Sequence, residues 1–120
     1  MQENKPITGV TMKVIVFSLP NCQPCRMTKE RLTANGIEFV EGSIEKHREL
    51  FRSMGFKSAP VVLVEPDTGM ALSWSGYRPE FIKALIEGKP EGYGITGYAR
   101  MRIVIEMREP ELFAAPGEPK

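Results

Sequence analysis

The two cysteines of this 120-residue chain lie close together, in the run Cys22-Gln23-Pro24-Cys25. Two thiols separated by two residues can exchange disulfides with another protein or bind a metal ion. A structural staple is a poor explanation, because a disulfide closing so small a loop removes little chain entropy from the unfolded state. The spacing therefore favours redox chemistry, with a metal site and two inert thiols as the alternatives.

A metal site would need more ligands than the cysteines supply. Tetrahedral zinc usually takes four ligands, and besides two cysteines the chain has one histidine. That residue, His47, lies in the polar run 45–49, which is typical of a solvent-exposed helix face. We therefore predict no metal ligands, and keep as an alternative a metal or iron–sulfur module that uses the cysteines of two chains.

The elements around the cysteines support a redox role. An apolar run at 12–17 predicts a buried strand, and the residues 23–35 predict a helix ending at Asn35-Gly36. Cys22 then lies at the first turn, where free N–H groups and the helix dipole favour a reactive thiolate. Cys25 follows at helical spacing, so its sulfur can approach that of Cys22 from a more buried position and resolve a mixed disulfide.

Two neighbours complete this first turn. Pro24 lacks an N–H that would have no partner there, and it stiffens the loop. Arg26 adds positive charge beside the cysteines.

The remaining patterns extend the same architecture. They predict further strands at 37–41, 61–64 and 70–74, a turn at 66–69, and helices at 43–54 and 79–87. The order β-α-β-α-β-β-α, with a right-handed first crossover, indicates an α/β chain of the thioredoxin-like arrangement. We expect a mixed four-stranded sheet flanked by helices, formed by residues 12–87.

Both ends of the chain extend beyond this domain. Residues 1–11 lack periodicity and predict a flexible N-terminal extension. In the C-terminal extension, residues 88–120, apolar residues alternate from Ala99 to Met107, which predicts a strand near 99–108. We expect it to join the domain's own sheet or fold back over a bare face; self-association and strand addition to a partner are the alternatives.

Composition excludes several classes of protein. The chain has 42% apolar residues, 26% charged residues and a net charge of +1, as in one ordinary globular domain. A nucleic-acid-binding face would need an excess of basic residues, and no apolar run is long enough to span a membrane. The first eleven residues are polar and contain no signal-peptide core, so we expect a cytoplasmic protein.

Three segments together are similar to those of NrdH-redoxins, glutaredoxin-like proteins that behave functionally like thioredoxins. They are the Cys22–Cys25 motif, the segment Met-Gly-Phe-Lys-Ser-Ala-Pro-Val-Val at 54–62 and the segment Trp-Ser-Gly-Tyr-Arg-Pro at 74–79. The last of these separates NrdH-redoxins from the wider superfamily. The resemblance covers about 12–87 and does not extend over 88–120.

The resemblance implies a function and partners. It implies a dithiol–disulfide oxidoreductase that donates hydrogen to ribonucleotide reductase, chiefly class Ib, and is itself reduced by NADPH-dependent thioredoxin reductase. Cys22 is then the attacking cysteine and Cys25 the resolving one. No cofactor is implied beyond this redox-active disulfide, and NADPH is used only through the reductase. We expect a monomer, with a dimer formed through the C-terminal extension as the alternative.

The resemblance also implies neighbours of the disulfide. It predicts a cis bond between Ala59 and Pro60, with Pro60 close to Cys22 and the Ala59 backbone available to the main chain of a partner. Gln23 and Pro24, which lie between the two cysteines, are also neighbours of the disulfide. The loop beside the active site, which shapes the surface for partners, comprises Trp74, Ser75, Gly76, Tyr77 and Arg78.

Departures from neighbouring families bear on the electron source. Thioredoxins carry a buried Asp where this chain has Val16, and Gln23-Pro24 differs from the residues that NrdH-redoxins commonly place between the cysteines. Arg78 would repel the amino group of glutathione, but Glu80 is close in sequence. A glutathione-dependent glutaredoxin and a general protein disulfide reductase therefore remain alternatives.

Overall fold

A single mixed sheet is the centre of the molecule. A computed structural model describes residues 12–67, 70–89 and 97–113. The strand order is β2-β1-β3-β4, with β1 parallel to β2 and antiparallel to β3, and β3 antiparallel to β4. The strands are β1 at Met12–Ser18, β2 at Val40–Ser43, β3 at Val61–Pro66 and β4 at Leu72–Ser75.

Helices cover both faces of this sheet. The α-helices are α1 at Gln23–Ala34, α2 at Arg48–Ser53, α3 at Pro79–Ile86 and α4 at Tyr98–Arg108, and two short 3₁₀ helices span Glu45–His47 and Pro110–Phe113. The predicted order β-α-β-α-β-β-α is confirmed as far as α3. None of the helices within the described ranges is both long and apolar enough to cross a membrane.

The strands divide their apolar residues between the two faces, because successive strand residues point to opposite sides. Val14 and Val16 of β1 face α1 and α3, in a buried cluster with Val62, Val64, Trp74, Leu32, Ile82 and Leu85. Ile15 and Phe17 face the other way, in a cluster with Val61, Leu63, Ile44, Phe51, Met101, Ile105 and Leu112. The last three come from the C-terminal extension.

The predicted strand at 99–108 is therefore wrong, because this segment is the helix α4. Met101 and Ile105 are fully buried against the sheet, whereas Ile103 is 56% and Met107 78% exposed. Two residues four apart lie on one face of a helix as well as on one face of a strand, so the alternation fits both. The expectation that the segment folds back over a bare face is confirmed.

Buried polar contacts hold the end of the extension in place. His47 is 1% exposed, and its Nε2 lies 2.8 Å from Oε1 of Glu109. The other carboxylate oxygen, Oε2, accepts from Lys46 Nζ at 3.0 Å. The prediction that His47 lies on a solvated helix face is wrong. Residues of the extension bury this ring, together with edge contacts to Phe17 and Phe51.

A second set of contacts fixes the beginning of α4. Glu65 of β3 accepts hydrogen bonds from the Tyr98 hydroxyl at 2.9 Å and from Arg102 Nε at 2.7 Å. The Arg102 guanidinium also lies 4.1 Å from the centre of the Phe113 ring. The beginning of the helix is thus bonded to β3, and Glu109, which follows its end, to the 3₁₀ helix at Glu45–His47.

Two of the predicted elements differ clearly in extent from those observed. β2 begins at Val40 rather than at residue 37, because Ile37 is buried and donates its N–H to Leu32 at the end of α1. The single helix predicted at 43–54 is a 3₁₀ turn followed by the shorter α2. Parts of the predicted turn (68–69) and of the two extensions (1–11, 90–96, 114–120) lie outside the described residues.

Candidate active site

The cysteines form a disulfide at the N-terminus of α1. Their Cα atoms are 5.2 Å apart, and Cys22 is the N-cap residue, whose Sγ accepts a hydrogen bond from the Cys25 N–H at 3.2 Å. Cys22 is partly exposed and Cys25 only 2% exposed. The predicted location and the predicted difference in burial are both confirmed.

The first turn of α1 is fixed by contacts of its own side chains. Thr28 is fully buried, and its hydroxyl donates to the carbonyl of Pro24 at 2.8 Å. At the surface, Arg26 donates to the side-chain oxygen of Gln23. The role of Thr28 was not predicted, although its spacing of four residues from Pro24 is a signal for such a bond.

A second segment approaches the same end of the sheet. The Ala59–Pro60 bond is cis, as predicted, and Pro60 is buried at the start of β3. The strand register pairs Val61 with Phe17, the penultimate residue of β1. Segment 54–60 and the loop that carries Cys22 therefore lie at one end of the sheet.

The loop after β4 is bonded to this segment. The carbonyl of Pro60 accepts from the Gly76 N–H at 2.8 Å, and the Ser58 hydroxyl donates to that of Ser75 at 3.1 Å. Gly76 has a φ of +86°, and a Cβ there would lie 3.1 Å from Ser58 Oγ. Backbone conformation and lack of space both favour glycine at this position.

Trp74 differs from the prediction that residues 74–78 all shape the surface. Its side chain is 1% exposed and packs on the face of α1 and α3, with its ring centre 5.3 Å from that of Phe81. The indole Nε1 has no hydrogen-bond partner among the described residues. The residues that follow it are partly exposed, namely Ser75, Gly76, Tyr77 and Arg78.

Arg78 is the N-cap residue of α3. Its Nε donates to Glu80 at 3.0 Å, and its guanidinium lies 4.9 Å from the centre of the Phe81 ring. A backbone hydrogen bond and the contacts with Arg78 lower the pKa of the Glu80 carboxyl below its usual range. The positive charge of Arg78 is thus partly balanced within its own turn.

A cavity of about 220 Å³ opens between the end of α2 and β4. It is lined by Met54, Gly55, Phe56, Ser73, Trp74, Ser75 and Arg78. The segment before the cis bond and the loop after β4 thus enclose a concave surface. No group of three or more potential metal ligands comes together anywhere in ranges 12–67, 70–89 and 97–113.

Comparison with known proteins agrees with this geometry. The glutaredoxin family profile matches residues 14–67. The glutaredoxin-like protein NrdH of Salmonella typhimurium is 31% identical over 77 residues, which are 62% of this chain and 89% of the relative. NrdH of Lactococcus lactis is 33% identical over 75 residues, 60% of this chain and 97% of the relative.

A solved structure is also similar to this chain. It is the NrdH-redoxin of Escherichia coli, 30% identical, with a TM-score of 0.52 over 61% of this chain and 93% of that one. A dithiol motif closed as a disulfide at the start of a helix is the arrangement of a thiol–disulfide oxidoreductase. The chain belongs to the NrdH-redoxins, glutaredoxin-like thiol–disulfide oxidoreductases of the thioredoxin superfamily.

Proposed function

We propose that this chain carries electrons from NADPH-dependent thioredoxin reductase to a class Ib ribonucleotide reductase in the cytoplasm. The observation that supports it is the Cys22–Cys25 disulfide at the N-terminus of α1, in a chain of the NrdH family. The E. coli relative is described as having a thioredoxin-like activity profile. That description favours a reductase, rather than glutathione, as the electron source here.

In the proposed reaction the two cysteines act in sequence. The Cys22 thiolate attacks one sulfur of the target disulfide, forming a mixed disulfide and releasing the other target sulfur as a thiolate that takes up a proton. The Cys25 thiolate, its proton lost to solvent, then attacks Cys22 Sγ and releases the second target sulfur. Two electrons pass to the target, and thioredoxin reductase returns two electrons to the Cys22–Cys25 disulfide.

The surroundings of each cysteine suit these roles. Cys22 is the more exposed and lies at the positive end of α1, where an N–H points at its sulfur and favours the thiolate in the reduced protein. Cys25 is buried, so a target disulfide reaches Cys22 first. The proposal assigns main-chain pairing with the target to Ala59, which precedes the cis bond.

The experiment compares two electron sources side by side. NADPH oxidation is followed with thioredoxin reductase, this protein and oxidised class Ib ribonucleotide reductase, and then with glutathione and glutathione reductase in place of the first enzyme. We expect turnover with thioredoxin reductase that depends on this protein and is lost in Cys22→Ser. Efficient turnover only with glutathione would contradict the proposal.

A glutathione-dependent activity is the second candidate, because the family profile that matches residues 14–67 is that of glutaredoxins. Glu80 lies beside Arg78 and offers a carboxylate to the amino group of glutathione. Reduction of a glutathionylated test protein by glutathione alone, catalysed by Cys25→Ser, would support this candidate, since that reaction needs only the attacking cysteine.

A further inference from the structure

Each of the three segments that meet at the disulfide end of the sheet carries one basic residue. Arg26 follows Cys25 in α1, Lys57 precedes the cis bond, and Arg78 caps α3. Arg26 and Lys57 are exposed, and Arg78 is partly exposed. Three segments that are distant in sequence thus each place a cation at the same end of the sheet.

Hydrogen bonds and strand pairing bring these segments together. Val61 pairs with Phe17 on one side and with Ser75 on the other, so the ends of β1 and β4 flank the start of β3. The Ser58–Ser75 bond joins the neighbour of Lys57 to the loop that leads to Arg78. The segments that carry these cations are therefore held at the same end of the sheet as the disulfide.

The charge at this end is positive although that of the whole chain is almost balanced. The segments 19–26, 54–61 and 73–80 contain the three basic residues and one acidic residue, Glu80, which gives a net charge of +2. The whole chain carries +1, so all its other residues together sum to −1. The segments near the disulfide are therefore more positive than the chain as a whole.

Most of this charge is not neutralised within the described structure. Arg26 donates to the uncharged amide oxygen of Gln23, and neither it nor Lys57 has a described carboxylate within ion-pair distance. Glu80 pairs with Arg78 alone. Among the described residues, Arg26 and Lys57 are thus two cations with no carboxylate partner.

We infer that this end of the sheet docks a protein segment whose exchanging disulfide is flanked by Asp and Glu side chains. The inference rests on the proposed roles of the two cysteines but not on which reductase acts. Carboxylates on either side of the target disulfide would face Arg26 and Lys57 while its sulfur meets Cys22. Charge complementarity of this kind raises association rates by about 10- to 1000-fold, and salt screens it.

The test uses chemically reduced protein and synthetic disulfide peptides, so that no reductase is needed. Three cyclic peptides of one length carry Asp and Glu, Asn and Gln, or Lys beside the same disulfide, and glutathione disulfide is a fourth substrate. The second-order rate of protein oxidation is measured by thiol alkylation at about 0.01 M and about 1 M salt, where Debye lengths are about 30 and 3 Å.

We expect the acidic peptide to react about tenfold faster than the neutral one at low salt, with little difference at high salt. Arg26→Glu and Lys57→Glu should each slow the acidic peptide several-fold and accelerate the basic one. Lys89→Glu makes the same change of charge on an exposed residue beyond the far end of α3. It should leave all the rates nearly unchanged.

Each other outcome identifies what fails. Equal rates for the three peptides, or equal effects of Lys57→Glu and Lys89→Glu, would overturn the inference and leave the proposed exchange intact. If Arg26→Glu and Lys57→Glu slow glutathione disulfide more than the acidic peptide, the surface selects glutathione and the inference is wrong. Reduced protein that reacts with no peptide would contradict the proposed exchange itself.

Discussion

The two faces of the sheet are covered in different ways. On one face, α1 and α3 cover the sheet and form an apolar cluster with its strands. Both helices lie within the part of the chain that forms the sheet and its first helices. The other face is covered by the short α2 and by α4 of the C-terminal extension. Charged groups also bond the extension to the rest of the chain: Arg102 donates to Glu65, and Glu109 contacts His47. The disulfide lies at the start of α1, on the first of these faces.

This difference largely separates the hydrogen bonds around the disulfide from the packing of the extension. The strand pairing and hydrogen bonds that position the segments near the disulfide involve no residue of the extension, although Met54, Phe56 and Ala59 pack against the cluster that the extension completes. The extension instead buries apolar area on the opposite face. The match with the Lactococcus relative covers 97% of that protein but only 60% of this chain. The remaining part of this chain therefore has almost no counterpart in that relative.

The largest expected effect is on the rate of disulfide reduction, at the face that carries the disulfide. Cys22→Ser should lower the rate of disulfide reduction by about a thousandfold or more, because a hydroxyl at neutral pH is a poor nucleophile. Serine is a good N-cap residue, so the free energy of unfolding in reducing buffer should change little. Enzyme assays and urea denaturation measure the two quantities separately.

Cys25→Ser is the matched variant for this prediction. The first attack survives and the resolving step does not, so a mixed disulfide with the target should accumulate and be visible by mass spectrometry. Normal turnover by Cys25→Ser would show that the dithiol mechanism does not apply to this protein.

The next effect should fall on stability alone. Ile105→Ala removes a fully buried side chain from the face that α4 covers, and should lower the free energy of unfolding by about 2–5 kcal/mol. Ile103→Ala makes the same change on the same helix at a residue that is 56% exposed, and should cost less than about 0.5 kcal/mol.

Disulfide reduction per folded molecule should be the same in both isoleucine variants. A lower rate for Ile105→Ala, measured where both proteins are fully folded, would break the separation between the two faces. Equal losses of stability would instead show that α4 does not pack as described.

A smaller effect depends on pH. Burial acts to raise the pKa of the Glu109 carboxyl, but its bonds with His47 and Lys46 outweigh this and lower it. A carboxyl whose pKa is lower in the folded state contributes stability above its unfolded value, and this is lost as the pH falls through the folded value. Glu109→Gln should therefore cost about 1–3 kcal/mol at pH 7 and less below about pH 4.

The control for Glu109→Gln is Glu111→Gln. Glu111 is an exposed residue of the following 3₁₀ helix, and the same change there should alter stability by less than about 0.5 kcal/mol at any pH. Urea denaturation from pH 3 to 7 distinguishes the two variants. A gap between wild type and Glu109→Gln that stays constant over this range would contradict the role of the ionised carboxylate.

The smallest effect concerns the beginning of α4. Tyr98→Phe removes one hydrogen bond to Glu65, which keeps its bond with Arg102, so the loss should be about 1 kcal/mol. Tyr77→Phe removes a hydroxyl without a hydrogen bond to a described residue and should be nearly neutral in denaturation experiments. Equal losses in the two variants would show that the contact with Glu65 contributes nothing.

The region around the disulfide was predictable because its signals are local. Cys22 and Pro24 mark the start of α1, Asn35-Gly36 marks its end, and the apolar, β-branched run of β1 precedes it. The cis bond before β3 followed from family resemblance, since its neighbours in sequence do not require it. The bond between Ser58 and Ser75 depends on strand register and was not predicted.

The extension was mispredicted because its structure depends on distant contacts. Alternating apolar residues fit a strand, and what selects a helix is the uncovered face formed by residues such as Ile15 and Phe17. His47 has charged neighbours on both sides in sequence, yet Glu109, 62 residues away, makes its burial favourable. No pattern within either segment contains this information.

The distance along the chain between His47 and Glu109 also has a consequence for the order of events during synthesis. The sheet can form once β4 has been made, but the face that Ile15 and Phe17 present, which α2 covers in part, is fully covered only after residues 101–112 emerge. At about 5–20 residues per second, the nascent protein exposes that apolar face for some seconds. A chain that ends before α4 would leave that part of the apolar face exposed permanently.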